Sequence, residues 1–274
     1  MKLQILPASI GFTWVKLGVK TFFKQPLALG GLFLMFITAV SILSILPLVG
    51  AALALIIVPA ATLGLMVASL EAHRGKFPMP SVLATAFRAG QGRLRSMLTL
   101  GVMYAVGYLL IVGLTHLIDD GQSTRLFTKD GEIDRAVFDN AAVQTAMILR
   151  MLLLVALSTL FWHSPALVHW YNVSPTKAIF FSLIACLRNT GAYIAYGLGW
   201  FALIGACGMV LTILFSMLGL KTLGAAMMMP LALTVSAMIT TSAYFTFRDS
   251  FVHPQGSETE PSGEPPTQLP PRVS

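Results

Sequence analysis

Residues 27–70, LALGGLFLMFITAVSILSILPLVGAALALIIVPAATLGLMVASL, decide the fold. The stretch has no charged side chain, and Pro47 marks a turn between two apolar runs, 27–46 and 48–70. A bilayer core about 30 Å thick takes roughly 20 residues of helix at about 1.5 Å each. Each run is therefore long enough to cross, and the link is so short that the two must form a tight antiparallel hairpin.

Four further runs of that length follow, at about 97–118, 144–168, 192–218 and 223–247. The last two form a second tight hairpin. Of the 274 residues 56% are hydrophobic and 11% charged, whereas soluble domains lie near about 45–50% and about 25%. The mean hydropathy of +0.79 agrees. Two cysteines exclude a disulfide scaffold. Cys186 and Cys207 would stand about 31 Å apart on a continuous helix, too far to bridge. The predicted fold is an all-α membrane bundle of six transmembrane helices with three interfacial amphipathic helices.

Lys and Arg divide thirteen against five between the two sides of the six spans. The richer side holds Lys16, Lys20, Lys24, Arg88, Arg95 and Arg188, and the positive-inside bias makes it cytoplasmic together with both termini. The acids Asp119, Asp120, Asp130, Glu132, Asp134 and Asp139 fall in one long outer loop, about 119–143. The net charge of +7 is then attracted by anionic lipid at the inner face, and no nucleic-acid partner is needed to explain it. The basic start followed by a long apolar run reads as an uncleaved first span, since a signal-peptide core is shorter.

A short amphipathic segment precedes each pair of spans. In residues 9–24 the lysines at 16, 20 and 24 share a face. In the segment from Ser81, a possible cap, Arg88 and Arg95 do the same. In the third, Ser174-Pro175 sets a cap and a proline at the first helical position, and Lys177 and Arg188 return to one side. Lys24-Gln25, Arg95-Ser96 and Arg188-Asn189 end the segments. This predicts three parallel copies of one unit: surface helix, span, span. Gly191, Ala195 and Gly199 form a small-residue ridge that lets helices approach closely in lipid, continued by Gly205 and Gly208, and Gly101 with Ala105 forms another. Pro59, Pro165 and Pro230 stand in or near spans, as tolerated kinks or as hinges. Lys129-Asp130-Gly131 reads as a turn in the outer loop. The proline-rich tail, 253–274, lacks the apolar residues to fold.

Candidate chemistry is sparse. The richest stretch is 161–171, with His163 and His169 six apart around Pro165 and flanked by Trp162 and Trp170. An aromatic belt at the headgroups, contact with lipid phosphate and a metal are its possible roles. Two histidines without Cys, Asp or Glu nearby make the metal the poorest of these. Arg150 lies within the fourth span near its outer end, where it either snorkels outward or meets a protein partner. His116 with Asp119 and Asp120 forms a relay or simply a solvated helix end. The run from Asp130 lacks the glycine and final glutamate of a calcium loop. Neither a nucleotide-binding glycine motif nor a hydrolase motif occurs, and no acid pair lies in the core. The expectation is a non-enzymatic protein without metal or cofactor. Its partners would be anionic lipids and, beyond them, a membrane protein or a second copy.

Residues 2–8 (KLQILPA), 25–29 (QPLAL), 77–80 (FPMP), the 161–170 stretch, and Ser174-Pro175 followed by Phe180-Phe181-Ser182 resemble a family of betaproteobacterial multi-pass membrane proteins with no assigned activity. The resemblance spans nearly the whole chain outside the loop and tail. It implies a bacterial inner membrane and carries over no functional residue. A looser likeness, in layout alone, is to the membrane domain of some glycerophosphodiester phosphodiesterases; their soluble catalytic domain has no counterpart here. Two functions therefore stand: an organiser of lipid or partner proteins at the inner face, and a small-solute or ion transporter.

Overall fold

The computed structural model describes residues 2–47, 49–126 and 134–252. Leu48, the expected turn at Lys129-Asp130-Gly131 and the tail from His253 lie outside these residues. In chain order the elements are β1 (Lys2–Leu3), α1 (Ile10–Lys24), α2 (Pro26–Ser44) and α3 (Gly50–His73). A 3-10 turn (Pro80–Ala84), α4 (Thr85–Arg88), α5 (Gln91–Asp119) and a second 3-10 turn (Gln122–Arg125) come next. Then follow α6 (Arg135–Phe138), α7 (Ala141–Phe161), α8 (Ser164–Tyr171), α9 (Pro175–Arg188), α10 (Thr190–Met217), α11 (Lys221–Ser250) and β2 (Phe251–Val252). Among the described residues six stretches are long and apolar enough to span a membrane: α2, α3, α5, α7 with α8, α10 and α11. They coincide with the six runs read from the sequence.

Two expectations change at the residue level. The segment from Ser81 is not one helix: a 3-10 turn leads into α4, Gly90 adopts φ 90°, and a new helix starts at Gln91. Positive φ is easy only for glycine, so the chain breaks there. Arg93 and Arg95 enter the first turns of α5, and Arg88 and Arg95 no longer share a helix face. The fourth span is also broken, because α7 stops at Phe161 and α8 begins at Ser164 with Pro165 in its first turn.

The chain forms two compact units. In the unit Thr21–Cys186, α3 packs between α2 and α5, α5 packs on α7, and α8 packs against α3 and α5. Close approach depends on small residues: a Cβ on Gly101 would collide with the Ile56 carbonyl, and one on Gly64 with the backbone of Val82 and Leu83. The 3-10 turn is thus seated on α3. Burial is concentrated between Pro59 and Ala72 of α3, at Met97–Ala105 of α5 and in α8. This is the end of the spans carrying Arg74, Lys76 and Arg93, hereafter the basic end. Towards the opposite end the helices expose Leu34, Ile42, Leu110 and Leu114, as lipid-facing helices do.

The second unit combines residues up to Lys20 with those from Leu187. Here α1 lies on the α10–α11 hairpin. A Cβ on Gly11 would strike the backbone of Ala192 and Tyr196, and one on Gly18 would strike Ser242. The expected ridge on α10 is used in this contact: Ala195 is buried, and Gly199 lies under Phe12 and Val15. A Cβ on Gly205 or Gly208 would meet nothing within 4 Å outside its own helix. Antiparallel pairing of Lys2–Leu3 with Phe251–Val252 ties the chain start to the end of α11.

Candidate functional site

Among the described residues polar side chains gather at three places, beginning with the break between α7 and α8. In an unbroken helix the His163 N–H would bond the Thr159 carbonyl. Instead the Ser182 hydroxyl stands between them, accepting from His163 N at 3.0 Å and donating to the Thr159 carbonyl at 2.8 Å. A hydroxyl from α9 is inserted into the ladder, a recognised cause of a kink. Pro165, without an N–H, leaves the Phe161 carbonyl with no helical donor. The break therefore has a local cause, and it docks α9 on the fourth span.

This docking corrects the expectation that both histidines lie at the headgroups. His163 is 0% exposed, so its ring cannot touch lipid phosphate. The burial follows from α9 closing over the break and α8 packing on α3 and α5. His169, Trp162 and Trp170 are half-buried, with the His169 and Trp170 rings 5.8 Å apart and near edge-on. The described residues hold no group of three His, Cys, Asp or Glu side chains able to bind a metal.

Arg150 occupies the second place. Its guanidinium meets protein, donating from Nε to Thr115 Oγ1 at 2.9 Å and from Nη2 to Ser123 Oγ at 3.3 Å. Asp119, 1% exposed, accepts the N–H groups of Gly121 and Ser123, both at 2.9 Å. A carboxylate at a helix C-terminus opposes the helix dipole, and the charge of Arg150 acts favourably on it. This cluster closes the end of α5 and orders the turn after it, while His116 remains exposed beside Gly121.

The third place is the end of the α1–α10–α11 unit that carries Arg188 and Arg248, whose polar network sequence reasoning missed. Trp14 is fully buried and donates its indole N–H to Asp249 at 2.9 Å, and Asp249 accepts from Arg248 at 2.9 Å. Tyr193 and Tyr196 flank Trp14 at 5.4 and 6.1 Å, and the Tyr196 hydroxyl pairs with Ser242 at 2.6 Å. Asn189 donates to the Gln4 carbonyl at 3.0 Å and accepts from Leu6 N at 2.8 Å, so one amide clamps the first residues. The available signal was a lone acid, Asp249, in the last turn of an otherwise apolar helix.

The remaining candidate residues are surface groups. Lys16, Lys20, Lys24, Arg88, Arg95 and Arg188 are all exposed. Lys24 reaches the His73 carbonyl at 3.0 Å and so caps the end of α3.

Over 254 residues the chain is 32% identical to a probable inner membrane protein of Burkholderia thailandensis, and the match covers 92% of this chain and 94% of that one. No family model and no solved structure matches. Six membrane-length helices among the described residues and an alignment that runs nearly the whole length of both chains lead to one conclusion: the chain belongs to the family of that probable inner membrane protein.

Proposed function

We propose that this is a non-enzymatic membrane protein that organises lipid or partner proteins at the cytoplasmic face of the inner membrane, with both termini on that face. One observation carries the reading. The three segments dock through small and apolar residues and leave Lys16, Lys20, Arg88, Lys177 and Arg188 exposed. Each such charge contributes about 1 kcal/mol near an anionic leaflet. Replacing these five residues with Gln is expected to strip anionic lipid from the purified protein, measured by mass spectrometry of co-purified lipid. Unchanged lipid content contradicts the reading.

The alternative, a small-solute or ion transporter, draws on Arg150, a half-buried cation within a span. It requires a specific solute flux in proteoliposomes that Arg150→Ala abolishes.

A further inference from the structure

The α1–α10 contact leaves a groove open beside Lys16 and Lys20. It measures about 620 Å³ and is walled by Phe12, Val15 and Val19 on one side and Gly199, Ala202 and Leu203 on the other, with Lys16 and Lys20 at its rim. We infer that this groove holds one anionic phospholipid, its phosphate between Lys16 and Lys20 and an acyl chain along α10.

Three independent observations place it there. Lys16 and Lys20 are one turn apart on the same helix face, so their ammonium groups can converge on a single phosphate. Their depth is also right. Lys221 begins α11 and marks the opposite interface. Counting back from Met217, Leu203 and Gly199 lie about 21 and about 27 Å along α10, near the far side of a hydrocarbon core about 30 Å thick. Finally, α10 offers the acyl chain a free path, since only 6% of its most apolar window is buried inside the protein. Val210 and Ile213, on the same face of α10 as Gly199 and Leu203 by helical periodicity, are 65% and 52% exposed. A two-lysine rim over an apolar slot at that depth complements an anionic head on a hydrocarbon tail, and a zwitterionic head lacks the net charge to match it.

The inference rests on the lipid-organising reading and sharpens it from a basic surface to a single site. Native mass spectrometry of the full-length protein with phosphatidylglycerol tests it, using three variants that leave the docked face of α1 intact. Lys16→Gln/Lys20→Gln is expected to weaken retention of one phosphatidylglycerol roughly thirtyfold, the effect of two charges. Ala202→Leu, which fills the slot without touching a charge, is expected to lower it as well. Arg88→Gln/Arg188→Gln removes equal charge elsewhere and is expected to leave that lipid bound. Equal loss in both charge variants overturns the site but leaves the broader reading standing. Retention unaffected by Ala202→Leu overturns the acyl slot. Binding of phosphatidylethanolamine as tightly as phosphatidylglycerol, unchanged in every variant, overturns both site and reading. Equal thermal stabilisation by glycerol 3-phosphate alone replaces the lipid site with a soluble-anion site.

Discussion

At the residue scale, two hydroxyl and carboxylate contacts hold helices that the apolar surface alone cannot orient. Ser182 satisfies a donor and an acceptor released by the break at Trp162-His163. In Ser182→Ala both groups lose that partner in a buried site, at about 1–3 kcal/mol. Ser182→Thr retains the hydroxyl and should recover much of this, a difference visible in thermal unfolding in detergent. Asp249 plays the matching role for Trp14. Asp249→Ala is expected to cost a similar amount, because it removes an acceptor from a buried indole N–H and the partner of Arg248 together. Asp249→Asn keeps an acceptor for the indole and should cost less. Equal losses for Ala and Asn would place the stability in the Arg248 pair instead of the Trp14 bond.

At the element scale, α1 shows how an amphipathic helix becomes a docked one. Its apolar face carries glycines at the closest backbone approaches, Gly11 and Gly18, and its lysines stay outside. Gly18→Leu is expected to destabilise by about 1–3 kcal/mol through overpacking against Ser242. A Cβ on Gly31 in α2 would meet nothing within 4 Å outside its own helix. Gly31→Leu should therefore be neutral, or mildly stabilising through helix propensity. Parallel melting curves of the two variants check the contrast, and equal losses would mean that α1 is only loosely seated. The second segment is bent by Gly90, so its basic residues divide between α4 and α5.

At the scale of the whole molecule, the segments pair with the hairpins in an ordered way. The first segment docks on the last hairpin, α10–α11; the second docks on α3 of the first hairpin; the third docks on the α7–α8 break. Pairing of β1 with β2 requires the chain to start and finish its six crossings at one end, as an even number of spans demands. If that end is cytoplasmic, alkaline phosphatase fused after Asp130 is expected to be active and fusions after Lys76, Lys177 or Phe251 inactive. Activity at any of those three positions would break the proposed orientation.

Six spans, two tight hairpins and an uneven charge distribution were all legible in the sequence, because span length and positive charge are summed along the chain and need no partner. Gly199, Gly101 and Ala195 were legible as packing surfaces for the same reason: smallness is a local property. The destination of each segment was not legible. Nothing local marks Trp14 as the partner of Asp249, far away in sequence. His163 reads as a headgroup residue until Ser182 closes the break beside it. Burial and hydrogen-bond partnership are properties of pairs, and the members of these pairs are brought together only by the tertiary fold.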